Sequence, residues 1–260
     1  MACLLGMSML TYGSDSNLIP FPQGYDTTTS GASSYSGMGN VKNSMYFPVI
    51  DFYNMKSTDS LTILSKYKTY QQTTEVTCGP VAAMTVLYHF GEMKYQELQI
   101  AEIMNTHKDL NYSNKQNPGV ADEQGEYGTS TSGMVHFFEE IGWDVQSSLT
   151  EADELGYTFQ EPDSFKKFVL ENLDKNTPIM VENIDFGGHW RVIIGYDTMG
   201  TDTFSDDVLI MADPYDTSDH RQDGYTYTNA ERFFYMWFDA HVLPNTQNQQ
   251  QWLVARPINE

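Results

Sequence analysis

The chain has 260 residues, enough to bury a full core in one large or two small domains. Its 14 basic residues against 35 acidic ones give a formal charge of −21, which argues against nucleic acid and anionic membrane as main partners. Two cysteines, Cys3 and Cys78, are too few for a disulfide framework, and no apolar run approaches the roughly 18 residues a membrane span needs.

The opening MACLLGMSML is apolar without a basic n-region, and reads either as the remnant of a secretion signal or as folded chain. With the acidic surface it leans towards an exported or cell-surface bacterial protein. Residues 1–60 form a polar arm whose centre, YDTTTSGASSYSGMGN, predicts irregular backbone with some disorder. A removable propeptide is one role for such an arm. Its Tyr and Met residues favour the other, packing on the domain at 61–260. Ser60–Lys68 is a mixed segment leading into the Cys region.

The run QQTTEVTCGPVAAMTVLYHFG, residues 71–91, places Cys78-Gly79-Pro80 before an apolar helical stretch that Gly91 closes. Proline suits a first helical turn and glycine the position past the last. Cys78 is thus predicted at the mouth of a buried helix, where free N–H groups and the dipole favour a thiolate. The simpler alternative is a small buried apolar residue.

Residues 94–106 and the segment GTSTSGMVHFFEEIGWDV predict two amphipathic helices, the second with a Thr/Ser cap, an apolar face at Met134, Phe137, Phe138 and Ile141, and a stop at Gly142. Between them residues 109–128 read as a loop. SFKKFVLENLDKN predicts a third helix, with Phe165, Phe168, Val169 and Leu173 on one side. TPIMVEN, HWRVIIGYD and DVLIMADPY then read as strands, and the aromatic end as a helix followed by an edge strand, QWLVARP. Helices before strands predict an α+β fold whose two halves meet at a cleft.

A cysteine nucleophile needs a base and a group that orients the base. His89, His107, His136, His220 and His241 read as surface or packing residues. His189 follows Gly187-Gly188 and opens a strand, so it can project into a cleft. Asp213 ends the next strand; a hairpin between the two makes His189 and Asp213 cross-strand neighbours. The acid would fix the imidazole tautomer and stabilise its charged form. The backbone N–H of Cys78, with the side-chain amide of Gln72 or Gln71 upstream, could form an oxyanion hole. Trp190 and Tyr215 flank these residues, either shielding the pair, lining a subsite or packing the core. The acidic run Asp197, Asp202, Asp206 and Asp207 lacks EF-hand spacing and reads as a solvated hairpin tip. No His/Cys cluster fits zinc.

The ordered set Gln72…Cys78-Gly79-Pro80, Gly188-His189-Trp190 with Gly195-Tyr196-Asp197, and Ala212-Asp213-Pro214 resembles the papain-like cysteine peptidases of the bacteriocin-processing, double-glycine leader type, and their stand-alone relatives most. The likeness covers roughly residues 65–215. It implies a papain-like α+β fold, a peptide or protein substrate, no cofactor, and Gln72, Cys78, His189 and Asp213 as the functional four. Thr217–Glu260 lies outside the pattern, and the membrane and nucleotide-binding parts of transporter-linked members have no counterpart. A weaker likeness to phytochelatin synthase implies a γ-glutamyl or acyl transferase as the alternative. A non-catalytic binding protein on the same fold is the third reading.

Overall fold

The computed structural model describes residues 16–35, 44–106, 128–239 and 249–258. The expectations for Cys3, the opening apolar stretch, His107, His241 and nearly all of the loop at 109–128 fall outside them.

A short strand, β1 (Leu61–Ile63), precedes the helix α1 (Cys78–His89). Cys78 through Leu87 are all buried, because the segment is apolar around nearly its whole circumference. Thr85 is the exception; its hydroxyl donates to Ala82 O and accepts from Tyr67 O–H. Gly91 follows the C-cap Phe90 in the left-handed region, as its position predicts. Helix α2 (Glu97–Ile103) is shorter than its amphipathic pattern suggests. Helix α3 (Thr131–Glu140) is capped by Ser130 Oγ, which accepts from Gly133 N at 3.2 Å. There follow β2 (Trp143–Ser147), α4 (Ser148–Glu151), α5 (Pro162–Asp174), β3 (Ile179–Asn183), β4 (His189–Asp197), β5 (Val208–Ala212), β6 (Tyr225–Asn229), α6 (Ala230–Tyr235) and β7 (Trp252–Pro257).

The strands form one antiparallel sheet in the order β2-β7-β3-β4-β5-β6, with β1 added on β4. Helix α1 packs on β4, and α3 on β2 and β7. The predicted α+β fold is observed, with the cysteine helix facing an antiparallel sheet that carries His189 and Asp213. Two expectations need correction. QWLVARP is not an edge strand: β7 lies between β3 and β2, and Trp143–Ser147, hidden behind the helix pattern that ends at Gly142, supplies the edge. The acidic hairpin is also not wholly solvated. Asp207 is fully buried, accepts from Tyr196 O–H at 2.5 Å and pairs with Lys166 at 2.8 Å.

The aromatic end is core. Trp237 stacks on Phe159 and meets Phe165, and Trp252 meets Phe168. In the arm, Ile19 and Phe52 are buried and Leu18 bridges to Thr69, so these parts pack on the domain, whereas Tyr35, Met45 and Tyr46, expected to pack, are exposed.

Candidate active site

The loop from Thr69 to Thr77 delivers Cys78 to the first position of α1. Thr77 stands at the N-cap, but its hydroxyl donates to Glu97 Oε1 at 2.6 Å and makes no cap bond. Val81 N is taken by Thr77 O and Pro80 has no N–H. The backbone N–H groups of Cys78 and Gly79 are therefore the ones this helix end offers to an anion. Gly79 is required for close packing: a Cβ there would lie 2.8 Å from Thr129 Cβ and 3.2 Å from Met134 Sδ.

His189 opens β4, opposite Asn183 of β3. Asp213 lies one residue past the register pair Val192↔Ala212, which puts it opposite Arg191 and diagonal to His189, on the same face. His189 Nε2–H donates to Asp213 Oδ1 at 2.7 Å. With Nε2 turned to the acid, Nδ1 is the nitrogen left to face the thiol of Cys78, whose charge helps to raise the imidazole. The three residues predicted from sequence are thus brought together. All are buried, Cys78 most open at 9 % exposure and His189 at 3 %.

Asp213 is held on every side. Oδ1 also accepts from Tyr215 N at 2.9 Å, and Oδ2 from Thr226 Oγ1 at 3.2 Å; Arg191 Nη1 stands 3.9 Å from Oδ2. Burial pushes the Asp213 carboxyl up, but His189, Arg191 and the Tyr215 N–H outweigh it and hold it at about 2. Burial likewise pushes the imidazole down, and Asp213, with Cys78 adding to it, raises it to about 9. The arrangement favours an imidazolium at neutral pH.

The two upstream glutamines have different tasks. Gln71 Nε2 donates to Asp213 O at 3.0 Å, so Gln71 helps seat the acid. Gln72 Nε2 donates to Thr74 O at 2.8 Å, one N–H remaining over, and its backbone N donates to Pro214 O at 2.9 Å. Its described contacts are with this loop and with Pro214 and Ser33, not with Cys78 or His189.

Sequence reasoning missed four charged residues around this site. Arg191 Nη2 bonds Asn183 Oδ1 and Asp185 Oδ2, both at 2.8 Å, and so fixes the turn before His189. Strand alternation places Arg191 on the face of His189, a signal that was available. Glu182 and Asp239 are buried carboxyls that meet beside Gly188; burial, then Asp239 and Cys78, push the Glu182 carboxyl well up. Gly188 is extended, and it lacks a side chain because a Cβ would lie 2.8 Å from Glu182 Oε1 and 3.2 Å from Asp239 Oδ2. The flexibility expected of both glycines belongs to Gly187, which is left-handed. The fourth is Glu97, buried on α2 and bonded to the loop before Cys78.

Of the other histidines, His89 Nε2 meets Asn176 O, His136 is exposed, and His220 Nδ1 meets Ser44 Oγ. Trp190 is core, and its Nε1–H donates to Thr129 O at 2.8 Å. Tyr215 O–H donates to Glu75, and its ring lies against exposed Phe186, which meets His189 edge-on. Among the described residues no group of His, Cys, Asp and Glu could hold a metal ion, and no helix is long and apolar enough to cross a membrane.

The family model described as Peptidase_C39 like family matches residues 64–239, from just after β1 to Asp239. The chain belongs to the Peptidase_C39-like family. It is a cysteine peptidase. The match runs past residue 215, where the sequence likeness ended, and takes in β6, α6 and Asp239. Curated proteins give no match to this peptidase. Among solved structures, it resembles the peptidase domain of Streptococcus ComA, a bi-functional ABC transporter involved in a quorum-sensing pathway (19% identity, TM-score 0.43, 74% of this chain and 99% of that one). It also resembles the peptidase domain of Streptococcus mutans ComA (17% identity, TM-score 0.37, 74% and 100%).

Proposed function

We propose that this peptidase cleaves peptide bonds through a Cys78–His189–Asp213 triad and a thioester intermediate. The observation that carries the reading is the hydrogen bond from the His189 ring to the Asp213 carboxylate, with Cys78 at a helix N-terminus near enough for its charge to act on that ring. The thiolate attacks the scissile carbonyl carbon, and the carbonyl oxygen becomes an oxyanion. Cys78 N–H and the spare N–H of Gln72 stabilise it. As the intermediate collapses, the C–N bond breaks and His189 gives its Nδ1 proton to the leaving amine. Water, deprotonated by His189, then attacks the thioester and frees the acid and Cys78. Asp213 stays ionised and orients the ring. No step needs a metal or organic cofactor. In this reading the described parts of the arm, 16–35 and 44–60, stay with the catalytic part at 61–260, since Ile19, Ser33 and Phe52 are buried.

Alkylation of Cys78 by iodoacetamide across pH tests the pair. The expected profile has a plateau well below the free-thiol pKa of roughly 8.5, lost in His189→Ala. An ordinary thiol profile, the same in both proteins, would sink the triad. Product analysis with and without an added amine separates hydrolysis from acyl transfer.

A further inference from the structure

The segment between Tyr70 and Thr77 has no regular hydrogen-bond ladder of its own, yet it carries Gln72 and leads directly into Cys78 at the mouth of α1. Glu97, on α2 and fully buried, accepts four hydrogen bonds from this one segment. Oε1 accepts from Thr73 N at 2.7 Å and from Thr77 Oγ1 at 2.6 Å. Oε2 accepts from Thr73 Oγ1 at 2.8 Å and from Tyr70 O–H at 3.2 Å. The donors lie on both sides of Gln72 in the chain, and one of them, Thr73 N, belongs to its neighbour. Both carboxyl oxygens are therefore filled, by groups no nearby cation supplies.

The outer side of the loop is closed by the N-terminal arm. Ser33 N donates to Gln72 O at 3.1 Å, and Ser30 Oγ to Thr73 O at 3.0 Å. Gly31, left-handed, lies so close that a Cβ would stand 2.6 Å from the carbonyl carbon of Thr73. Gln72 is thus fixed between an anion inside and a backbone turn outside. A buried carboxylate without a cationic partner costs several kcal/mol unless its hydrogen bonds compensate. A fold that needed only helix packing here would use an apolar residue.

We propose that Glu97 is a positioning residue of the peptidase: its carboxylate sets the geometry of the Thr69–Thr77 loop so that the Gln72 amide can serve the oxyanion hole. This rests on the oxyanion role of Gln72. It separates two properties of Cys78, since alkylation needs the thiolate but no oxyanion hole, whereas acylation needs both.

The test measures acylation by p-nitrophenyl acetate and alkylation by iodoacetamide in wild type, Glu97→Ala, Glu97→Gln, Gln72→Ala and the double variant Gln72→Ala/Glu97→Ala. Loss of an oxyanion donor costs on the order of 10²-fold. Glu97→Ala is expected to lower acylation by about 10- to 100-fold and leave alkylation within about twofold. Glu97→Gln should recover most of the acylation rate. Its Oε1 still accepts from Thr73 N, and the hydroxyls of Thr73 and Tyr70 can turn to accept from its amide. The double variant should acylate no more slowly than Gln72→Ala, because Glu97 acts through Gln72. Additive losses, or acylation and alkylation falling together, would overturn the proposal while Gln72 kept its role. Wild-type acylation in Gln72→Ala would overturn the oxyanion reading itself. Should Glu97→Ala not fold, Thr73→Val takes its place: it removes the Oγ1 bond at constant shape, and unchanged acylation would count against the proposal.

Discussion

Replacing Asp213 by Asn tests the electrostatics of the site directly. The substitution preserves shape, and an Asn oxygen in the Oδ1 position can still accept from His189 Nε2 and Tyr215 N. Its amide would face Thr226 Oγ1 and Arg191. What disappears is the charge that raises the imidazole from 6.5 to about 9 against its burial. That difference corresponds to roughly 3 kcal/mol, a factor on the order of 10² in the ratio of imidazolium to imidazole. With the Asp213 charge gone, burial is opposed only by the smaller effect of Cys78, and the His189 pKa in Asp213→Asn should fall well below 9. NMR titration of the ring nitrogens in histidine-labelled protein reads this, and iodoacetamide kinetics near neutral pH should slow by about two orders of magnitude. Stability should follow. A raised His189 adds stability that is complete below 6.5 and lost as pH rises through about 9; a lowered Asp213 adds stability above 3.8 that is lost as pH falls through about 2. The variant should therefore lose most between 3.8 and 6.5. A His189 that still titrates near 9 in Asp213→Asn would refute the reasoning.

Three further outcomes follow from contacts around the site. Gly188→Ala would drive a methyl into the Glu182 and Asp239 carboxyls, so peptidase activity should fall by at least about tenfold, with a melting loss of roughly 1–3 kcal/mol; full activity and stability would show that the pair yields freely. Trp190→Phe leaves Thr129 O without its donor and a small void, and chemical denaturation should show a loss of about 1–3 kcal/mol. Asp216 is pushed up to about 9 by burial and by Asp213, Asp219 and Asp223, so the folded state binds its proton more tightly and loses stability as pH rises above 3.8. Asp216→Asn should accordingly melt above wild type at pH 8, by on the order of a few kcal/mol, with little gain near pH 4; an equal gain at both would contradict the charge argument.

The residues of the site were legible because each carries a local signature. Cys-Gly-Pro before an apolar run marks a helix mouth, and His189 opens β4 while Asp213 directly follows β5, at a spacing a hairpin brings together. The helices were legible from their apolar faces, as Phe165, Val169 and Leu173 of α5 illustrate. The misses have a common origin. β2 follows a helix after a single glycine, and β7 alternates too little to reveal that both its edges are paired. Glu97 sits in a pattern where a polar residue normally faces water; what buries it is a loop some 20 residues earlier in the chain, whose donors no periodicity encodes.

By itself the sequence determined the α+β class, the order of Cys78, His189 and Asp213 as the proposed nucleophile, base and acid, and the family those residues resemble, because these depend on residue type and short-range spacing. The tertiary structure alone decided which glutamine braces the acid, why Gly188 bears no side chain, and that Glu97 and the N-terminal arm grip the same loop from opposite sides. Hydrogen bonds and close contacts of this kind join residues far apart in the chain, and their geometry exists only once the core has brought the backbone together.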